Sequence, residues 1–322
     1  MINLVKNEWM KIFAKKSSWI YFILLAVFLI IITVATAYID KTKTDSNWRP
    51  AVEEEIANLR AQQSDPKIEE GEKEALSGQI AEQQFYLDKN VNPTLRSNWQ
   101  FANSEGISLF SMVALFAVIV SSTSVASEFS DGTIKQLLIR PHRRWKILLS
   151  KYISVLVYSL LLLLFTAAAS VVAGTFLYGA GDFAAKIAEV PLTMNGGETV
   201  VAGAGSMFVQ KSLLYIPNLL MVMTIAFMLS TLFKSQSMAV GIGIFVLFMN
   251  NALNVGVQLL IGLKQEWAKL LLFPHLNLME YAAADEILPG VTLTFSSLVL
   301  LVYYILFIAV TFFFFQKKDV SI

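Results

Sequence analysis

SSTSVASEFSDGTIKQLLIRPHRRWKILLSK, residues 121–151, leaves one apolar run, makes a short charged excursion and enters a second apolar run. Six basic side chains sit in it (Lys135, Arg140, Arg143, Arg144, Lys146 and Lys151) against two acids, Glu128 and Asp131. Ile134, Leu137 and Leu138 recur at i, i+3, i+4, the spacing of a short amphipathic helix. Ser130 or Asp131 is placed to cap its start. Arg140-Pro141 marks its stop, because proline pushes the residue before it out of the α region. A capped helix with an apolar ridge, then a proline, then a second basic helix start, makes a docking surface for a partner.

The flanking apolar runs are two of six: Trp19–Tyr38, Ile107–Ala126, Tyr152–Tyr178, Ser212–Phe233, Met238–Leu263 and Val291–Phe315 (residues 19–38, 107–126, 152–178, 212–233, 238–263 and 291–315). Each reaches the roughly 20 residues that cross a hydrocarbon core of about 30 Å. In lipid, backbone polar groups must be satisfied within their own segment, so all six should be helices. Composition agrees: 15% of residues are charged, where soluble domains carry roughly a quarter, and the mean hydropathy is +0.59. The fold class expected is an all-α membrane protein with six transmembrane helices.

Charge sorts across these runs. With both termini inside, the inner segments (1–18, 127–151, Lys234 and the tail 316–322) hold 13 basic and 4 acidic residues, a net +9. The remaining 12 basic and 20 acidic residues give the outer segments −8. Basic residues in short loops stay cytoplasmic, which places both termini in the cytoplasm and the chain in the cell membrane. The first apolar run is longer than the roughly 7–15 residues of a signal peptide's apolar region and ends without a small-residue cleavage site. It spans and stays.

Residues 1–18 carry Ile2, Val5, Trp9 and Ile12 on one helical face, with Lys6, Lys11, Lys15 and Lys16 around it. That is an amphipathic helix lying along the inner membrane surface. The outer segment 39–106 reads as a helical hairpin, with Val52, Ile56 and Leu59 on one helix and Leu76, Ile80 and Leu87 on the other. Segment 179–211 is rich in glycine and reads as a flexible connection. Segment 264–290 packs Trp267, Leu270, Leu271, Leu272 and Phe273 before Pro274: too short to span, too apolar for free water.

The order Glu128, Gly132-Thr133, Leu137-Leu138, Pro141, Arg143-Arg144 and Lys151, placed after the second span, resembles the signature of ABC-2 type permeases. These are the membrane subunits of bacterial ATP-binding-cassette exporters. The resemblance extends to the six-span layout and to segment 264–290, which is similar to the short re-entrant helices before the family's last span. It leaves out residues 39–106. It implies that 127–151 holds a coupling helix seated in the cleft of a cytoplasmic ABC ATPase subunit, present in two copies. The docking residues would be Glu128, Gly132, Thr133, Ile134, Leu137, Leu138, Arg140, Pro141, Arg143 and Arg144. It further implies a homodimer or a pairing with a paralogous permease. ATP and Mg would be bound by the partner subunit, with no cofactor on this chain.

Other chemistry is absent from the sequence. There is no GxxxxGK[ST] loop for ATP phosphates and no G-x-S-x-G nucleophile arrangement. There is no cysteine, and His142 and His275 are too far apart to suggest a metal site. No catalytic residues and no metal ligands are expected, the chain is not itself an enzyme, and its basic loops are a topology signal rather than a nucleic-acid one. The fifth span carries Asn250, Asn254 and Gln258 at i, i+4, i+8 with Asn251 beside them, either as interhelical glue or as lining of a translocation path. Gly241, Gly243 and Gly256 on that span favour close packing. Two further function classes stay open: an ion- or proton-coupled carrier or channel working without an ATPase, and a sensory or lipid-handling protein. Carriers usually place ionisable residues inside their spans, and the six runs carry none.

Overall fold

The computed structural model describes residues 1–40, 48–64, 70–93, 96–133, 143–189, 200–233 and 235–317. Each long charge-free run closes its backbone hydrogen bonds within its own helix. The spans are α2 (Lys16–Asp40), α6 (Phe110–Ser130), α7 (Arg144–Tyr178), α8 (Ala204–Leu232), α9 (Gln236–Gly262) and α10 (Leu293–Lys317). Among the described residues these are six helices long and apolar enough to cross a membrane. The protein is an all-α, multi-pass membrane protein. A short helix α1 (Ile2–Ala14) precedes them, and α3 (Trp48–Gln63) and α4 (Glu70–Lys89) form a hairpin after α2. A short α5 (Asn98–Phe101) and a π-turn over 102–106 lead into α6.

α6 is the centre of the bundle. Its inward side is small: Ala114, Ala117, Ser121, Ser122 and Ala126 are all essentially inaccessible. Lipid tails are as apolar as leucine, so membrane helices associate by close packing and hydrogen bonding, which small residues permit. Phe110, Val113, Tyr158, Leu162 and Leu219 from α6, α7 and α8 complete this core. Hydroxyls bind the helices across it. Tyr215 Oη donates to the Phe110 carbonyl (2.6 Å), Tyr158 Oη to the Ser18 carbonyl (2.7 Å), and Ser230 Oγ accepts from the Val125 and Ala126 amides. By contrast α2 and α9 bury little of their surface, leaving Ile23, Ile30, Phe245, Phe248 and Leu259 facing outward.

The hairpin follows its heptad-like pattern. Val52, Ile56 and Ile80 form a small cluster with Leu59 and Leu87 packed against it. Its base is held where Tyr178 Oη, at the end of α7, donates to Asp40 Oδ2, which also pairs with Arg96.

Three boundaries depart from the sequence expectation. α7 begins at Arg144 and runs for 35 residues, about 52 Å at 1.5 Å per residue, so its first turns project beyond a hydrocarbon core. Segment 179–211 is partly built: β1 (Lys186–Glu189) pairs antiparallel with β2 (Val200–Gly203), and α8 starts at Ala204. Segment 264–290 folds as three 3-10 turns (Glu266–Leu270, Phe273–Leu276 and Leu278–Ala282) rather than re-entrant α-helices. It closes with a small β3–β4 ribbon (Glu286–Leu288 with Val291–Thr292). We call residues 266–292 the cap; it packs with α8, α9 and α10 in one apolar cluster.

Candidate functional site

At the end of the bundle where α6 stops and α7 starts, four charged side chains meet. Lys151 Nζ lies 2.7 Å from Glu8 Oε2 and 2.6 Å from Glu128 Oε1. Lys11 Nζ lies 2.7 Å from Glu8 Oε1 and 3.3 Å from Glu128 Oε1. Glu8 and Lys11 share a face of α1 by their i, i+3 spacing. Lys151 sits two turns into α7, and Glu128 in the last turn of α6, where exposed helix carbonyls disfavour an anion. The two lysines offset that.

Burial makes this network consequential. The Lys151 side chain is 2% exposed, and an ammonium without partners there would be very unfavourable. Two carboxylates and two ammoniums leave the cluster neutral. Burial alone would raise the Glu8 carboxyl, but Lys151 and Lys11 more than reverse it and hold it below its usual range. Lys11 is pushed up: its own burial works the other way, and the Glu8 and Glu128 carboxylates outweigh it. Ser154 Oγ donates to the Val5 carbonyl (3.2 Å), adding a second tie between α1 and α7.

The network borders a cavity of about 810 Å³ whose lining includes Tyr21, Val120, Thr123, Glu128, Gln236 and Val240. The cavity thus lies over α6, between α2 and α9. Glu128 Oε2 is buried beside it and meets no donor within the described residues.

The predicted docking residues divide. Glu128 is drawn into the network. Gly132 has φ +69°, a left-handed conformation suited to glycine, and it ends α6; Thr133 Oγ1 donates to the Glu128 carbonyl at 3.4 Å. Ser130 is the last residue of α6 and Asp131 its C-cap, and Ser130 Oγ accepts from the Gln236 amide that opens α9; the helix they are expected to cap lies outside the described residues. Arg143 is exposed at the N-cap of α7, and Arg144 Nη1 donates to the Gln316 carbonyl in the last turn of α10 (3.3 Å). Ile134, Leu137, Leu138, Arg140 and Pro141 lie outside the described residues.

The amide stripe stands apart from this site, since Asn250 is 14 residues further along α9 than Gln236, about 21 Å of helix. Asn250 and Asn254 present buried Oδ1 atoms with no hydrogen-bond partner among the described residues; Gln258 is half-buried and Asn251 exposed. Of the three glycines, Gly243 alone packs closely: a Cβ there would come 2.7 Å from Ser122 Oγ, whereas Gly241 and Gly256 face open space. On α1, Val5, Trp9 and Ile12 turn partly inward as the pattern suggests, but Ile2 is exposed, and the most buried residue of that face is Glu8.

Sequence reasoning missed the pairing of Glu8 with Lys151. The available signal was a lone carboxylate on the apolar side of α1 and a lone lysine at the mouth of an apolar run. Also missed was a buried junction at the opposite end, where His275 meets Ser296 and Tyr281.

These features define a multi-pass helical membrane protein with a charged, internally neutralised site at the loop end of its central helices. Residues 74–321 match the family described as protein of unknown function (DUF2705), and the chain belongs to that family. It is 31% identical over 323 residues, the full length of both chains, to the "Uncharacterized protein YhcI" of Bacillus subtilis (strain 168). It is also 29% identical over 216 residues to the "Uncharacterized membrane protein YdbK" of the same organism, covering 67% of this chain and 80% of that one.

Proposed function

We propose that the chain is the membrane permease subunit of an ABC-2 type exporter, moving substrate outward as a separate ATPase subunit hydrolyses ATP. The carrying observation is the junction at the ends of the 128–151 excursion. Glu128 and Lys151 close that excursion at 2.6 Å, and both are tied to α1. A load applied to the excursion from the cytoplasm therefore reaches α1, α6 and α7 together. The ordered motif and the net +9 of the proposed cytoplasmic segments support the same reading. So does the cavity at that end, which fits an entry vestibule.

In this reading, the docking stretch from Gly132 to Arg144 meets the ATPase, which holds ATP and Mg, Glu128 anchors that stretch inside the protein, and the permease itself catalyses nothing. Both termini are cytoplasmic, in the cell membrane. A second permease copy covers the outward face of α9, where the exposed Asn251 amide would be costly against lipid. The carrier reading draws on one observation, the buried Lys151 within a span helix; its charge is matched by fixed carboxylates.

Affinity purification of the tagged, solubilised protein from its own cells is the test. An ABC ATPase subunit should co-purify, be lost in Leu137→Asp and persist in Arg144→Ala. Purification without any ATPase, or retention of both assembly and ATP-dependent transport in Leu137→Asp, overturns the docking reading.

A further inference from the structure

At the opposite end of the bundle the ring of His275 is completely buried and joins separate pieces of chain. Its Nε2 lies 2.8 Å from the Lys269 carbonyl, which only accepts, so that nitrogen carries the proton. Its Nδ1 lies 2.8 Å from Ser296 Oγ in the first turn of α10. Ser296 Oγ is in turn 2.7 Å from Tyr281 Oη, which donates to the Val291 carbonyl at 2.9 Å. One imidazole thus links the first turn of the cap, its last 3-10 turn and its β-ribbon to α10. Around it lie Leu272, Leu276, Leu278 and Val291, with the Phe295 ring 5.9 Å away.

The neutral ring draws the Ser296 proton to Nδ1, so the single Tyr281 proton is left to serve both Ser296 Oγ and the Val291 carbonyl; a charged ring would find no counter-ion among the described residues around it. Within the cap, the Lys269 ammonium is paired with Glu266 at 2.6 Å, Glu280 accepts from Asn277, Glu286 accepts from the Gly290 amide, and Asp285 is exposed. From the packed helices, α9 presents no ionisable side chain. On α8, Lys211 pairs with Glu189 and Tyr215 with the Phe110 carbonyl; on α10, Tyr303 bonds the Leu270 carbonyl and Tyr304 bonds Tyr152. On protonation Ser296 Oγ would accept from Nδ1 and turn its own proton to Tyr281 Oη, which donates to the Val291 carbonyl, so hydrogen bonding does not oppose the charge. What opposes it is a cation buried among apolar side chains.

We propose that His275 is an acid-released latch: the neutral imidazole pins the 266–292 cap to the start of α10, and protonation frees the cap. Burial holds its pKa below the ordinary histidine value of 6.5. A histidine exposed by opening of the cap titrates near that ordinary value and so binds a proton more readily than the closed cap does. By linkage, the closed cap keeps its full stability above pH 6.5 and loses it as pH falls from there toward the lower pKa of the buried ring. This holds on whichever side of the membrane the cap lies. With the topology proposed above, external acidity is the signal, and the gate it loosens covers the outward ends of α8, α9 and α10.

The test uses the whole protein in nanodiscs, where both sides share one pH. Hydrogen–deuterium exchange of peptides within 266–292, corrected for intrinsic rates, should rise several-fold between pH 7.5 and 5 in the wild type and stay level in His275→Gln. In a His142→Gln background His275 is the one histidine, and its ¹⁵N spectrum should show the Nε2–H tautomer at pH 7.5 and titrate below pH 6.5. The proposal is overturned if exchange in the wild-type cap ignores pH, or if the ring stays neutral down to pH 4.5. It is equally overturned if His275→Gln keeps the same acid response, which would put the effect on the carboxylates. All three outcomes are independent of whether an ATPase binds at the other end.

Discussion

Lys151 and Glu8 are 143 residues apart in the chain and bonded at 2.7 Å, with the Lys151 side chain almost wholly removed from solvent. This pair ties α1 to the bundle. Removing one member of such a pair strands a buried charge, typically at about 3–5 kcal/mol. Lys151→Ala leaves two carboxylates, Glu8 and Glu128, to the more exposed Lys11 alone and should lower the thermal midpoint in detergent or nanodisc strongly. Glu8→Gln leaves Lys151 with Glu128 and should cost less. Equal losses from the two variants would mean that the four charges do not act as one network.

The same network has a defined pH window. Glu8 sits below its ordinary 4.5 in the folded protein, so its contribution is present above that value and is lost as pH falls through the lower, folded one. Lys11 sits above its ordinary 10.5, so its share is complete below 10.5 and lost as pH rises through the higher value. The stability difference between wild type and Glu8→Gln should therefore be flat from about pH 6 to 9 and shrink below pH 4.5. Comparing the two proteins removes the acid response of the cap, which both share. A difference that already fell between pH 7 and 6 would assign the titration to another group.

Orientation is read from charge and can be checked directly, because the chain has no cysteine. Glu54→Cys, on an exposed position of the hairpin, should react with a membrane-impermeant maleimide on intact cells. Arg143→Cys, exposed at the start of α7, should react only after permeabilisation. The reverse pattern would invert the topology and remove the docking argument with it.

The six spans were legible because a charge-free run of 20 or more residues has few structural options in lipid. The hairpin was legible too, since Val52, Ile56 and Ile80 meet as their helical spacing requires. What local pattern could not give were the long-range pairings. Nothing near Glu8 in sequence points to Lys151, and nothing near Ser296 points to His275. Boundaries failed where charge and backbone conformation disagree. α7 continues through Lys146 and Lys151 because both lie in its first two turns, and α6 ends where Gly132 turns left-handed. Of the residues the motif marks for docking, Arg143 is exposed and Glu128 is spent inside the protein.

Glycine positions on α9 give a sharp contrast. A Cβ at Gly243 would come within 2.7 Å of Ser122 Oγ and 3.1 Å of Val118 Cγ1, at the contact with α6. Gly243→Val should therefore force the helices apart, with a loss of about 1–3 kcal/mol from overpacking. Gly241 and Gly256 have nothing within 4 Å, and alanine there should be neutral or gain up to about 0.5–1 kcal/mol of helix propensity. Thermal unfolding of the monomeric subunit ranks the three. If Gly241→Ala instead reduced dimer yield while leaving monomer stability intact, that face would be the contact with the second copy.

Asn254 separates glue from pathway on the same helix. Its Oδ1 is buried and accepts no hydrogen bond within the described residues. A buried amide oxygen without a donor carries a desolvation penalty of roughly 1–3 kcal/mol, and replacing it with an apolar group of the same shape removes that penalty. Leucine is close to asparagine in shape. Asn254→Leu should accordingly unfold at the wild-type temperature or slightly above it. Interhelical glue would require the opposite, a loss of roughly 0.6–2 kcal/mol with the bond it makes. If the stripe lines the route of the substrate instead, the stable variant should show altered substrate stimulation of the partner's ATPase activity, because a hydrated amide has been replaced by a wall. A fall of several degrees in the midpoint would assign Asn254 to helix packing. An unchanged midpoint with unchanged stimulation would take both roles from it.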